Sequence, residues 1–208
     1  MTRSKTTYRF CKRVFDLIVS VPLLILASPF LAGMTLLVRI CLGSPVFWKE
    51  KRPGLNGVPF SLIKFRTMTN AHDRDANLLP DAARLTRVGR VLRSTSLDEL
   101  PELLNVIAGD MSLVGPRPLL LRYLQRYTPE QMRRHEVPPG ITGWAQVNGR
   151  NALTWDQKFA LDLWYVENCS FWTDLRILAM TVWKLITREG ISQSGYATAE
   201  EFFGSPKY

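Results

Sequence analysis

A chain of 208 residues with 27 Lys and Arg against 18 Asp and Glu carries a net charge of +9. Its length holds one domain, or one domain plus an anchor, and its charge favours anionic partners: nucleic acid, acidic headgroups or phosphorylated substrates. Cys11, Cys41 and Cys169 are odd in number and share no paired spacing, which argues against a disulfide framework and against a zinc site.

The first element in the chain is an apolar run, residues 14–38, VFDLIVSVPLLILASPFLAGMTLLV. As one helix it would be about 38 Å long, enough to cross a hydrocarbon core of ~30 Å. It is too long for the apolar region of a cleavable signal peptide. Arg3, Lys5, Arg9, Lys12 and Arg13 precede it, and Arg39, Lys49, Lys51 and Arg52 follow it. The positive-inside rule draws both flanks to the same side, which a straight span does not allow and a hairpin does. Pro29, preceded by Ser28, removes a backbone donor and pushes aside the carbonyl of Ile25; the Ser28 hydroxyl is placed to satisfy it. Pro22 is a second weak point. The residues alone leave two readings, a re-entrant helix-break-helix and a kinked span. Asp16 is expected at headgroup level, paired with Arg13 one turn away in a structural role.

Residues 46–51 and 58–66, VFWKEK and VPFSLIKFR, flank the breakers of RPGLNG and predict a β-hairpin. Phe60, Leu62 and Lys64 fall on one face of the second strand. Taken alone, Lys64 and Arg66 read better as edge-strand charges that block aggregation than as binding groups. A polar loop over 70–83 follows, in which His72 and Asp73 are too few for a metal site. The spacing then predicts a short helix over 81–92 with Leu85, Val88 and Leu92 buried.

The stretch STSLDELPELLNVIAGDMSLVGPRP, residues 94–118, carries an acidic pair, Asp98-Glu99. Ser96 and Glu99 fit a capping box, but Pro101 would then stand inside the helix, where it is costly. Pro101 fits better as the first helical residue, with Leu100 extended before it. Asp98 and Glu99 then lie just outside the helix N-terminus, whose field lowers carboxylate pKa and keeps both ionised. Such a pair suits two tasks: attack on phosphorus, and holding Mg²⁺, which takes carboxylate oxygen and shares itself with substrate phosphates. Arg93 before the pair and Arg117 after it would offset the repulsion of a polyanionic substrate. Gly115 and two prolines present Arg117 rigidly, for bidentate phosphate binding. Asp110 reads equally as an orienter of an arginine or as a turn cap.

Residues 138–151, PPGITGWAQVNGRN, mix breakers with Thr142, Trp144, Gln146, Asn148 and Arg150, and read as a structured binding loop. A helix over 154–168 presents Phe159, Leu163 and Val166 as a stripe. The apolar helix over 171–188, with Trp172 and Trp183 near its ends, reads equally as a core helix and as an interfacial one.

Four strings together resemble the small monotopic phosphoglycosyl transferases of the bacterial sugar transferase family: Ser28-Pro29 in a basic-flanked apolar helix, KFRTM (64–68), RSTSLDELPELLNVIAGDMSLVGPRP (93–118) and PGITGWAQVNGRN (139–151). The resemblance implies transfer of a sugar-1-phosphate from a UDP-sugar to polyprenyl phosphate, with release of UMP. It implies Asp98 as nucleophile through a covalent phosphosugar intermediate, and Glu99 as its partner that holds Mg²⁺. Lys64, Arg66, Arg93, Arg117, Gln146 and Arg150 form the implied substrate-binding set. It further implies a re-entrant membrane helix broken at Ser28 and Pro29, facing the cytoplasm from a bacterial inner membrane. The expected fold is α+β and mostly helical: an anchor over 1–42 and a catalytic unit over 43–208 with interfacial helices. The chain resembles the family's minimal catalytic form. The tail GISQSGYATAEEFFG (190–204) resembles that of members using UDP-N,N'-diacetylbacillosamine. Two other classes stand beside this reading. A catalytically silent membrane scaffold of a glycan pathway is opposed by the intact acidic pair. A nucleic-acid binder lacks any recognition motif. The choice of sugar, polyprenol and oligomeric state is not legible.

Overall fold

The computed structural model describes residues 3–149, 152–187 and 201–204. Its first element is α1, Arg3–Leu42, a helix that runs without interruption through Pro22 and Pro29. The expected break at Ser28-Pro29 is thus no gap between two helices. The reason is local: the Ser28 hydroxyl donates to the Ile25 carbonyl at 2.7 Å, so the acceptor that Pro29 strips of its partner is satisfied within the turn. Within Thr7–Leu42 an 18-residue stretch reaches a mean hydropathy of 2.2, and the helix is long and apolar enough to cross a membrane. Ile25 and Leu26, near its middle, are 65% and 78% exposed.

Both halves of α1 nevertheless pack on the same folded body. Phe15, Val19 and Leu24 lie against the main core of Leu62, Leu103, Val106, Leu113, Tyr165 and Ile177. Leu31, Met34, Val38 and Leu42 join Phe65 and Leu92 in a second cluster. Asp16 and Arg13 do not pair as expected. Asp16 accepts from the Leu113 amide at 3.2 Å, while Arg13 donates to the carbonyls of Val106 and Ile107.

Strands β1 (Phe47–Pro53) and β2 (Pro59–Phe65) form the expected antiparallel hairpin, with Trp48 opposite Lys64. The alternation buries Phe60 and Leu62 and places Lys64 on their face. The single helix expected over 81–92 is two: α2 (Asp81–Arg84) and α3 (Arg87–Ser94). Thr86 divides them, because its hydroxyl caps α3 by accepting from the Gly89 amide at 2.9 Å. Leu92 is buried and Val88 packs beside it.

A single 3₁₀ turn, Leu97–Glu99, leads into α4 (Glu102–Ala108). Leu100, expected extended, is helical at φ −54°, ψ −37°. The turn carries straight on into α4, and the Leu100 carbonyl accepts from Leu103. After α4, β3 (Ser112–Val114) pairs in parallel with β4 (Gly140–Thr142). The predicted binding loop therefore begins as a strand laid on the segment that leads to Arg117. Glycine is required here for close approach: a Cβ on Gly140 would stand 2.1 Å from the Gly115 nitrogen, and one on Gly143 would stand 2.1 Å from the Gly115 carbonyl oxygen.

Short helices α5 (Pro129–Met132) and α6 (Trp144–Val147) precede α7 (Trp155–Asn168) and α8 (Phe171–Thr187). In α7, Phe159 and Val166 are buried as expected, and so are Asp162 and Tyr165. One face of α8 is in the core through Asp174 and Ile177, while Trp172 and Trp183 stand 78% and 64% exposed beside Phe171, Val182 and Ile186. The core reading thus holds for one face of α8, and the other face is exposed and aromatic.

Candidate active site

The site is built where β2, the 3₁₀ turn and the Gly115-Pro116-Arg117-Pro118 segment meet. Lys64 comes from the end of β2. Its ammonium lies 2.8 Å from Glu99 Oε1 and 3.1 Å from Glu102 Oε1. Arg117 reaches the same Glu99 carboxylate with both terminal nitrogens: Nη1 lies 3.3 Å from Oε2 and Nη2 donates to Oε1. This is the forked geometry that suits arginine to carboxylate and phosphate. Burial alone would raise the Glu99 pKa, but Arg117 and Lys64 outweigh it and hold the carboxyl well below the ordinary range. The capping box that Pro101 argues against does not form: the Ser96 side chain makes no cap bond.

Asp98 is buried at 8% exposure. No donor among the described residues holds its oxygens. Burial first, and the Glu99 charge second, push its pKa up, against the pull of Lys64, Arg93 and Arg117. This corrects the expected lowering: one 3₁₀ turn before a seven-residue helix supplies less field than desolvation removes. A carboxylate that is less satisfied than its neighbour is also the more basic of the two.

Glu102 is a site residue that the sequence reading passed over. It is 2% exposed, and burial followed by the Glu99 charge pushes its pKa up to about 7, with Lys64 opposing. The available signal was spacing: Glu102 stands three residues after Glu99, one helical turn on. Asn105 was missed as well. Its side chain accepts from the Ile63 amide at 3.1 Å and donates to the Ser61 carbonyl at 2.8 Å, stapling α4 to β2. Among the described residues Asp110 holds no arginine; it accepts from this Asn105 amide at 3.3 Å.

The remaining predicted residues divide. Arg93 donates to the Thr67 hydroxyl at 3.0 Å, and its charge is felt at Asp98. Arg66 does not join the site. Its guanidinium engages the carbonyls of Met68, Leu42 and Ser44, and it is buried, so it ties the end of α1 to the end of β2. Gln146, on α6, has both amide atoms buried with no partner among the described residues, leaving a donor and an acceptor open. Arg150 and most of the 190–204 tail lie outside the described residues. Arg134, unflagged in the sequence, donates to the Arg117 carbonyl at 2.7 Å and pairs with the buried Asp162 at 2.7 Å.

Arg52, Leu62, Lys64, Glu102, Arg117 and Pro118 line a polar recess of about 30 Å³, room for roughly one water. Lys64 and Arg117 thus meet on Glu99, Lys64 reaches Glu102 as well, and Asp98 feels the charges of Lys64, Arg93 and Arg117.

A family model described as bacterial sugar transferase matches residues 7–188. The chain belongs to the bacterial sugar transferase family. It is 58% identical over 194 residues to the uncharacterized sugar transferase EpsL of Bacillus subtilis (strain 168), covering 93% of this chain and 96% of that one. It is 39% identical to the undecaprenyl-phosphate galactose phosphotransferase of Salmonella typhimurium, across 90% of this chain and 43% of that protein. It is 40% identical to the UDP-glucose:undecaprenyl-phosphate glucose-1-phosphate transferase of Caulobacter vibrioides, across 86% of this chain and 70% of that protein. As a bacterial sugar transferase the chain is an enzyme, and Asp98, Glu99, Lys64 and Arg117 are its candidate reacting and binding groups.

Proposed function

We propose that this bacterial sugar transferase moves a sugar-1-phosphate from a UDP-sugar to polyprenyl phosphate, releasing UMP, through a covalent intermediate on Asp98. One observation carries the reading: of two adjacent carboxylates, Glu99 is locked by Lys64 and Arg117, while no donor among the described residues holds Asp98 beside the same cations. In the first step an Asp98 oxygen attacks the phosphorus nearest the sugar, and the phosphoanhydride bond to UMP breaks. In the second, an oxygen of the lipid phosphate attacks the same phosphorus, and the Asp98 carboxylate leaves. Lys64, Arg93 and Arg117 stabilise the charge on the transferring group. Arg117 has the fork for two phosphoryl oxygens and Lys64 a point charge.

The donor set fits Mg²⁺ in its usual mode, one or two carboxylates with substrate phosphates. Among the described residues there is no protein-only cage of three or more ligands. Glu99 would hold the ion, with Asp98 beside it, once substrate draws Lys64 or Arg117 onto its phosphates. When bound, Mg²⁺ neutralises the phosphates that approach the two acids.

The same reading seats the enzyme on a membrane, facing the cytoplasm of a bacterial inner membrane as a monotopic protein. The exposed middle of α1 and the exposed tryptophan face of α8 support an apolar seat. The packing of both halves of α1 on one body supports a re-entrant helix, because a helix crossing a ~30 Å core would carry one end away from that body. Cys11 and Cys41 flank the apolar run and are exposed. An impermeant thiol reagent applied to the cytoplasmic face of sealed vesicles should modify both; modification from opposite faces would overturn the re-entrant reading.

The test of the reaction is direct. Detergent-solubilised protein with Mg²⁺, polyprenyl phosphate and a panel of UDP-sugars that includes glucose, galactose and N,N'-diacetylbacillosamine should release UMP with at least one donor. Protein quenched during turnover should carry the mass of a phosphosugar on Asp98. Asp98→Asn should abolish both signals. UMP release surviving in that variant removes the nucleophile, and a folded chain silent with every donor supports a scaffold instead.

A further inference from the structure

We infer that Arg13 and Asp16, on the apolar helix, are positioning residues for the reaction proposed above. They fix the far ends of the two segments that carry the acidic pair and Arg117. The inference rests on that reading of the site but concerns residues that touch no substrate.

Arg13 sits at the C-terminal end of α4. It donates to the Val106 carbonyl, and Nη2 donates to the Ile107 carbonyl at 2.7 Å. These carbonyls lie in the last turn of α4, where a cation also suits the helix dipole. The other end of α4 begins at Glu102, three residues after Glu99. With about 1.5 Å of rise per residue, a seven-residue helix transmits this hold rigidly to the acidic pair.

Asp16 is 3% exposed and accepts from the backbone amide of Leu113, in β3. Four residues on is Arg117, past Gly115 and Pro116. A second thread runs in parallel: Lys12 donates to Asp174 at 2.6 Å, Tyr165 donates to Asp174 at 2.7 Å, and the Tyr165 hydroxyl lies 3.2 Å from the Val114 carbonyl. The circuit closes at the site itself, where Arg117 is forked onto Glu99. α1, α4, the acidic turn, Arg117 and β3 therefore form one ring of contacts. An apolar helix needs no buried charge to seat in a membrane, and burying one is costly unless it is paired. Here the charges land on the backbones of the two segments that bear the site. Displacing reacting groups by about 1 Å can lower turnover by ~10²-fold, so the seat of α1 sets the geometry between Asp98-Glu99 and Arg117.

The experiment uses the full chain in detergent or vesicles. Arg13→Met and Asp16→Leu should lower kcat by about tenfold or more, with KM for the UDP-sugar changed by less than about twofold. Asp16→Asn keeps an acceptor oxygen for the Leu113 amide and should restore most of the turnover. Amide hydrogen exchange should rise at 98–99 and 113–117 in the two disruptive variants and not in Asp16→Asn. If either disruptive variant fails to fold, Arg13→Lys, which keeps the charge but loses the fork, is read by the same two measures. Folded variants with parental kcat and unchanged exchange overturn the inference. So does a loss in which kcat and KM move together with the melting temperature. A parent protein that releases no UMP defeats the proposed function, while the exchange readout still decides whether α1 holds the two segments.

Discussion

The Lys64 ammonium stands between two carboxylates, 2.8 Å from the half-buried Glu99 and 3.1 Å from the buried Glu102. Removing one partner from a buried charge cluster strands the others, at a cost of about 3–5 kcal/mol. Lys64→Met should therefore lower the melting temperature and reduce UMP release by two orders of magnitude or more, on the order of the effect of losing one preorganised charge donor. Thermal denaturation and turnover measured on the same preparation check both. A variant with parental turnover would remove Lys64 from the site.

Arg66 makes the opposite case. Its guanidinium donates to three backbone carbonyls, Met68 at 2.9 Å, Ser44 at 3.0 Å and Leu42 at 3.3 Å. A lysine has no fork to span them. Arg66→Lys should destabilise the fold by about 1–3 kcal/mol, the range for hydrogen bonds to a charged group, and leave KM for the UDP-sugar within about twofold. A rise in KM without loss of stability would return Arg66 to the binding set.

Gly89 lets α3 lie directly on the segment after β2. A Cβ at this position would meet the Thr67 carbonyl oxygen at 1.9 Å and its carbon at 2.7 Å. Backbone atoms cannot swing aside as a side chain does. Gly89→Ala should cost about 1–3 kcal/mol by overpacking. Because Thr67 also receives the Arg93 side chain, turnover should fall with stability. Chemical denaturation and UMP release are the measurements.

His135 makes stability depend on acid. Its Nδ1 lies 3.2 Å from the Gly54 carbonyl, which can only accept, so Nδ1 carries the proton. Nε2 is then bare, and it is buried without a partner among the described residues. Burial, and then the Arg134 charge, lower its pKa from 6.5 to about 4, against the Gly54 hydrogen bond. Between those values the unfolded chain binds a proton that the folded chain refuses. Stability from this group is whole above about pH 6.5 and falls as pH drops toward 4, by about 3 kcal/mol in all. His135→Asn, which keeps a donor for Gly54, should flatten that part of the profile. An unchanged pH–stability curve in the variant would exclude His135 as the source.

What the sequence made legible was local. The Ser28–Ile25 hydrogen bond spans three residues, the hairpin turn six, and the acidic pair with its proline four, so each could be argued from neighbours alone. The hold of Arg134 on Asp162 spans 28 positions and that of Lys12 on Asp174 spans 162, and neither has a spacing signature. Glu102 and Asn105 stood in a stretch already under scrutiny. Their roles stayed hidden because both act across to β2, whose placement against α4 is a tertiary fact. Asp98 shows the limit most clearly. The helix field was readable, but the burial that overrides it was not.

The contact of Gly115 with Gly140 and Gly143 bears on any attempt to engineer donor choice. Backbone meets backbone there with no room for a methyl group, and the Gly115 amide donates across the gap to Thr142 at 2.9 Å. A chimera that imports the stretch around 138–149 from a homologue must import the stretch around 112–118 as its mate. Swapped singly, either graft would drag the Arg117 turn out of register, and altered specificity would arrive only as lost turnover.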